Sequence, residues 1–191
     1  MKSIITLIII LCFLRPFYGV SEISEELIGK WKFVGANCED NKALTKKELA
    51  QIKHIVSLGY TRHFQADGIL IDSLNLKAPT KRNKVTCSVK HTVPYTVSGQ
   101  TLSWLKDNSV FNVDCEGDNQ KIESRLKTEF KEKAKSRSQE FKRHDYKLLL
   151  YSLSSHEKTH GFNCAPKVRL VEKFELSLNP KDLIKNLATT N

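Results

Sequence analysis

Val85-Thr86-Cys87-Ser88-Val89-Lys90-His91-Thr92-Val93-Pro94-Tyr95-Thr96-Val97 places Val, Cys, His and Tyr at every odd position and Thr, Ser, Lys and Pro at every even one. Successive side chains of a strand point to opposite faces, so an alternation this long predicts a strand with one face buried and the other solvated. Shorter runs with the same signature lie on both sides of it. Together they predict eight strands: A over 29–37, B over 59–65, C over 69–76, D over 85–97, E over 101–115, F over 120–131, G over 141–153 and H over 167–176. Strand F is the ambiguous one, because Ile122, Leu126, Phe130 and Ala134 also fall on one face of a helix.

Turn chemistry fixes how the strands connect. Asp67-Gly68 joins B to C and Gly99-Gln100 joins D to E. The second turn sets Ser98 opposite Thr101, which would leave Cys87 opposite Asn112. A bulge of about three residues at Asp107-Asn108 instead brings Cys87 opposite Cys115 and predicts a bridge between them. Two helices are expected. Thr45 and Glu48 form a capping box for a helix over 46–58 with Leu49, Ile52, Ile55 and Val56 on its apolar face, and Asn179-Pro180 starts a short final helix.

If the strands alternate up and down, the connections A to B, C to D, E to F and G to H share one end and include all the long pieces. The other end has two tight turns and a charged hairpin loop over 132–140. The chain therefore reads as all-β, an eight-stranded antiparallel up-and-down barrel with a lid helix after the first strand and a short C-terminal helix, open at one mouth. An antiparallel sandwich is the competing architecture.

The N-terminus reads as a secretory signal peptide over residues 1–21. Lys2 precedes an apolar run from Ile4 to Leu14, and the small residues Gly19 and Ser21 mark a cut before Glu22. The run is much shorter than the roughly 20 residues that span a bilayer, so no transmembrane segment is expected. The barrel domain would cover 22–179, and the C-terminal helix and tail 180–191. Removing Cys12 with the signal leaves Cys38, Cys87, Cys115 and Cys164, an even set that suits a secreted protein, extracellular or periplasmic, with two disulfides. Losing Lys2 and Arg15 lowers the net charge from +10 to +8, and a large part of the excess lies between Lys121 and Lys147. So local an excess does not call for nucleic acid. The basic stretch from Lys131 to Lys142 makes an acidic protein the alternative partner.

Leu27-Ile28-Gly29-Lys30-Trp31 carries a Gly-x-Trp at the start of the first strand, and here the sequence resembles the lipocalin and lipocalin-like (calycin) family. The resemblance implies that Gly29 and Trp31 close the base of the barrel, that the loop after strand A is a lid, and that the cavity takes small apolar molecules. It also implies a cation over the tryptophan, for which Lys173 is better placed than Arg169. In a closed barrel strands A and H are neighbours, which brings Cys38 to Cys164. The inward residues Val89, His91, Val93 and Tyr95 of strand D, with Trp104, Leu126 and Leu170, are the candidate ligand-binding set. His91 reads first as a satisfied core histidine and second as a polar ligand contact. Lys77, Lys81, Arg82 and Lys84, with Lys46 and Lys47, are placed to attract an anionic head group at the mouth.

His156-Glu157-Lys158-Thr159-His160 matches the zinc-protease pattern H-E-x-x-H. That chemistry needs a helix presenting both imidazoles, a third ligand and a sheltered cleft. The segment instead has no apolar face to dock a helix, so it reads first as a polar mouth loop, with a zinc hydrolase through His156 and His160, or zinc held there without catalysis, as the less favoured alternative. No cofactor is expected. With all four mature cysteines bridged there is no thiolate nucleophile, and no Ser/His/Asp cluster is local in sequence. The expectation is a secreted, non-enzymatic protein that binds a small apolar or anionic amphipathic ligand.

Overall fold

The computed structural model describes residues 24–79, 84–117, 119–152, 164 and 168–177. Nine strands and two α-helices follow in the order β1 (Gly29–Cys38), α1 (Lys46–Ser57), β2 (Thr61–Phe64), β3 (Ile69–Pro79), β4 (Lys84–Ser98), β5 (Thr101–Trp104), β6 (Val110–Cys115), α2 (Gln120–Lys133), β7 (Arg137–His144), β8 (Lys147–Ser152) and β9 (Leu170–Leu176). All pairings are antiparallel and run β3-β2-β1-β9-β8-β7-β5-β4. The β3–β4 pair closes the ring, giving an eight-stranded barrel. The β6 strand lies outside that count, paired only with the upper half of β4. Trp31 and Phe33 face inward from β1, and a bulge between Phe33 and Gly35 then shifts the parity so that Ala36 and Cys38 do.

Three of the sequence-predicted strands differ from the structure: F is a helix, G is two strands, and E is divided into β5 and β6, so the total is nine while the closed ring keeps eight. Residues 120–131 form no strand: they belong to α2. Glu, Arg, Leu and Lys are strong helix formers, and the four-residue spacing of Ile122, Leu126 and Phe130 gives one helical stripe that packs on Ala78, Val85, Cys87 and Cys115. Strand G is in fact two strands. Asp145 adopts a left-handed φ of 50° and turns the chain so that His144 pairs with Lys147. The basic stretch from Lys131 to Lys142 is consequently the end of a helix and the start of β7, with no hairpin between them. Leu49, assigned to the apolar face of α1, is exposed, while Ile52, Ile55 and Val56 cover the barrel core.

The irregularity in strand E is a 3₁₀ turn, Lys106–Asn108. Pairing is Ser98 with Thr101 before it and Cys87 with Cys115 beyond it, the three-residue shift read from the sequence. The Cys87–Cys115 and Cys38–Cys164 disulfides are both formed. They fit an oxidising compartment. Among the described residues no helix is long and apolar enough to cross a membrane. The signal segment, the C-terminal helix and the 156–160 motif lie outside the described residues.

The lower half of the barrel is filled by Phe64, Leu70, Val93, Tyr95, Leu102, Phe141, Leu148 and Phe174. Trp31 seals the base: it is fully buried, and its indole N–H donates to the Leu27 carbonyl at 2.8 Å. The cation over its ring belongs to Arg143, 5.5 Å from the ring centroid, and not to Lys173, which is exposed. Arg143 also donates to the Glu26 carbonyl at 2.9 Å and so pins the N-terminal segment under the barrel. Gly29 stands at φ 136°, where a Cβ would lie 2.9 Å from Leu176 Cδ1. Both features explain a glycine two residues before the tryptophan. Trp31→Ala should therefore cost about 3–5 kcal/mol, and Gly29→Ala about 1–3 kcal/mol, in urea unfolding followed by circular dichroism.

Candidate functional site

Charged residues at inward positions form the floor of a cavity in the upper half of the barrel. Arg62 lies between Tyr60 and Phe64, Asp72 between Leu70 and Leu74, and Glu172 between Leu170 and Phe174, each with the parity that points inside. The Arg62 guanidinium is 1% exposed. Its Nε donates to Asp72 Oδ1 at 2.8 Å, one Nη to Tyr60 Oη at 2.7 Å, and the other to Gln139 Oε1 at 3.3 Å. Gln139 passes the contact on, donating to Glu172 Oε2 at 3.2 Å. Arg137 approaches the other oxygen of Glu172 at 3.9 Å. Three rings, Phe174, Trp104 and Tyr60, stand 5.2, 5.3 and 5.8 Å from the guanidinium carbon.

The ionisation of this floor follows from its pairing. Burial works against the charge of Arg62, but the Asp72 carboxylate, with Tyr60 and Glu172, holds its pKa above the ordinary value. Burial likewise pushes Asp72 up, and the Arg62 guanidinium outweighs it, leaving the carboxyl below its usual range. The Tyr60 phenol is raised by desolvation and stays protonated. Arg62 and Asp72 are thus a fixed ion pair at neutral pH.

Above this floor lies a cavity of about 310 Å³. Its walls are Leu74 of β3, Val89 and His91 of β4, Trp104 of β5, Phe111 of β6, and Phe130 of α2, with Ile55 and Leu58 from the end of α1. It reaches the surface at the junction of α2 and β7, where Lys133, Ala134, Lys135 and Arg137 line it. The cavity is therefore flanked by both helices. The lid is double, and α2 is the half that the sequence reading took for a strand.

His91 is stacked on Phe111, with centroids 4.5 Å apart and planes 8° from parallel. Its Nε2 is 2.9 Å from Ser109 Oγ, and its Nδ1 is 3.7 Å from Asp72 Oδ2. Asp72, His91 and Ser109 are the residue types of a nucleophilic triad, brought together only by the fold. The arrangement lacks two requirements of that chemistry. The Asp–His separation is too long for an orienting hydrogen bond, and the Ser109 amide, a natural oxyanion donor, is committed to the Lys106 carbonyl at 2.9 Å.

Of the residues proposed from sequence to bind ligand, Val89, His91 and Trp104 line the cavity. Val93, Tyr95 and Leu170 belong to the core packing, and Leu126 packs in the α2 cluster. Lys46, Lys47, Lys77 and Lys84 are exposed and do not line the cavity; Lys81 and Arg82 lie outside the described residues. The cations that do line it, Lys133, Lys135 and Arg137, belong to the basic stretch from Lys131 to Lys142, which the sequence reading assigned to an acidic protein partner and not to the cavity. Arg62, Asp72 and Glu172 carried a local signal, a charge at an inward position of an alternating run. Among the described residues no group of His, Cys, Asp and Glu is arranged to hold a metal ion.

No family model matches the chain, and no curated protein matches it.

Removing the Asp72 carboxylate deprives buried Arg62 of its nearest counter-charge and leaves it only Glu172, 3.7 Å away. Asp72→Asn should destabilise the barrel by about 3–5 kcal/mol. Because the folded pKa of Asp72 is depressed, its contribution is complete above the ordinary carboxylate range and is lost as pH falls through and below it. Urea unfolding between pH 7 and pH 3 should accordingly show a shallower loss of stability with acid in Asp72→Asn than in the wild type.

Proposed function

We propose that this chain is an exported, non-enzymatic carrier that holds a small apolar or amphipathic ligand in the mouth of a lipocalin-like barrel. The observation that carries this reading is the division of the interior. The lower half is solid and stoppered by Trp31, whereas the upper half keeps a cavity with mostly apolar walls above a fully paired polar floor. Such a concave, largely apolar site with a few fixed polar groups is the usual form of a small-molecule pocket. Export is supported by the signal pattern over residues 1–21 and by the two disulfides. The Cys38–Cys164 and Cys87–Cys115 bridges both tie strand ends at the mouth, which reduces the ordering cost when a ligand enters. The geometry around Ser109, which supplies neither an oriented base nor a free oxyanion donor, speaks against nucleophilic chemistry at that serine.

The fluorescent amphiphile 1-anilinonaphthalene-8-sulfonate tests the carrier reading. Its emission should rise on binding one site per barrel, with energy transfer from tryptophan that falls in Trp104→Phe, where Trp31 at the base is the remaining donor. Leu74→Trp, which fills the cavity from the β3 wall, should abolish the signal while far-ultraviolet circular dichroism stays unchanged. An unchanged emission with wild-type protein, or equal binding to Leu74→Trp, would remove the carrier reading.

A further inference from the structure

We infer that the ligand is a ring-bearing carboxylate of small size, an aromatic acid, and not a long-chain lipid. The inference rests on the carrier reading and adds three observations about the cavity. The first is size. A volume of about 310 Å³ stands at the lower end of the range for small-molecule pockets, about 300–1,000 Å³, and so suits a compact ligand. A long acyl chain exceeds that.

The second observation is the shape of the walls. His91 and Phe111 are parallel to within 8°, and Phe130 of α2 continues the same wall, its ring 20° from that of Phe111 with centroids 6.3 Å apart. Trp104, held by its stacking distance to Arg62, supplies a second ring surface. Flat ring faces pair best with another ring, in offset or edge contact, and such pairs add to simple area burial. A flexible chain gains no such contact and loses more rotamer freedom on binding.

The third is charge. Asp72 is paired with Arg62 at 2.8 Å, and Glu172 lies 3.7 Å from Arg62 and 3.9 Å from Arg137, so the two acids of the floor are balanced by two arginines. Lys133 and Lys135 then leave the entrance positive. Beyond α2 the backbone is extended, with Ala134 at φ −62° and ψ 144°, and residues two apart on an extended segment share a face. Lys133 ends a helix, where a cation is favoured in any case. Lys135 and Arg137 lie past the helix and have no such role. Arg137 approaches Glu172 at 3.9 Å and lines the cavity as well, so it connects the floor to the entrance. A carboxylate at this entrance, with its ring against Phe111 and Phe130, satisfies all three observations.

Calorimetric titration of the intact mature protein separates the elements of this inference. The probes are 3-phenylpropanoate, nonanoate, which has the same number of non-hydrogen atoms but no ring, and 3-phenylpropanamide, which has the ring but no charge. We expect 3-phenylpropanoate to bind one site at least about tenfold more tightly than either of the others. The exposed double variant Lys133→Glu/Lys135→Glu should weaken it by about tenfold or more and leave the amide unchanged. Equal or tighter binding of nonanoate overturns the ring, and equal binding of the amide, or indifference to the double variant, overturns the carboxylate. If none of the three binds while the anilinonaphthalene probe does, the inference fails and the carrier reading stands. If that probe also fails, both fall together.

Discussion

A buried guanidinium has to be answered from every side, and in this protein the answer organises the barrel. Arg62 comes from β2, its ion-pair partner Asp72 from β3, Gln139 from β7 and Glu172 from β9. Arg62 and Asp72 are register partners on the paired strands β2 and β3, whereas β7 and β9 lie elsewhere on the ring, so the contacts to Gln139 and Glu172 are the cross-barrel ties. Its cost is the removal of charges from water, and it persists because nearly every donor of Arg62 has an acceptor and three aromatic rings face its plane. A barrel filled with aliphatic side chains at this level would be at least as stable, but it would be solid. The polar layer stops the hydrophobic core part of the way up and leaves the space above it to be lined, and not filled.

What closes that space follows from the abrupt end of the wall on one side. Strand β5 pairs with β7, but after the 3₁₀ turn β6 pairs with β4 alone, and β7 begins only at Arg137, opposite Trp104. The upper part of β3, β4 and β6 thus presents an inner face with no strand beyond it. Leucine, isoleucine and phenylalanine on α2 cover that face, and the Cys87–Cys115 bridge holds the sheet beneath them. The Cys115 amide donates to Glu123 in the first turn of α2 at 2.9 Å, so the sheet also anchors the start of the helix. On the outside, Arg169 bridges Glu39 and Glu140 and lies over Tyr151, and both carboxyls are held below their usual range by hydrogen bonds from Arg169. These groups are partly exposed, and their pairing positions the ends of β1 and β9 more than it stabilises them.

Much of this was legible because alternation and turn chemistry are local. The β4 run, the turns at Asp67-Gly68 and Gly99-Gln100, the capping box of α1 and the three-residue slip that aligns Cys87 with Cys115 all act over short stretches. Closure could be argued from loop lengths alone. The α2 segment was misread because alternation and helical spacing coincide in 122–130, and only the uncovered face of β3, β4 and β6 decides between them. The split of strand G turned on Asp145, whose left-handed backbone is permitted by its side chain but not announced by it.

The sequence by itself determined the inward and outward faces of β4, the two tight turns and the Cys87–Cys115 register, since each depends on neighbours along the chain or on register carried by a turn; the base at Gly29 and Trp31 came with the family resemblance, and the eight-stranded ring was reached although one expected strand is a helix and another is two strands. The position of the cavity was settled only by tertiary structure. It depends on which inward charges meet across the ring, on a helix that replaces a strand at the mouth, and on Lys133, Lys135 and Arg137 arriving at its entrance from the far side of that helix. Arg62 with Asp72, Asp72 with His91 and His91 with Phe111 are register partners on paired strands, but the contacts that carry the network across the ring to Gln139 and Glu172, and the approach of α2, have no period along the chain.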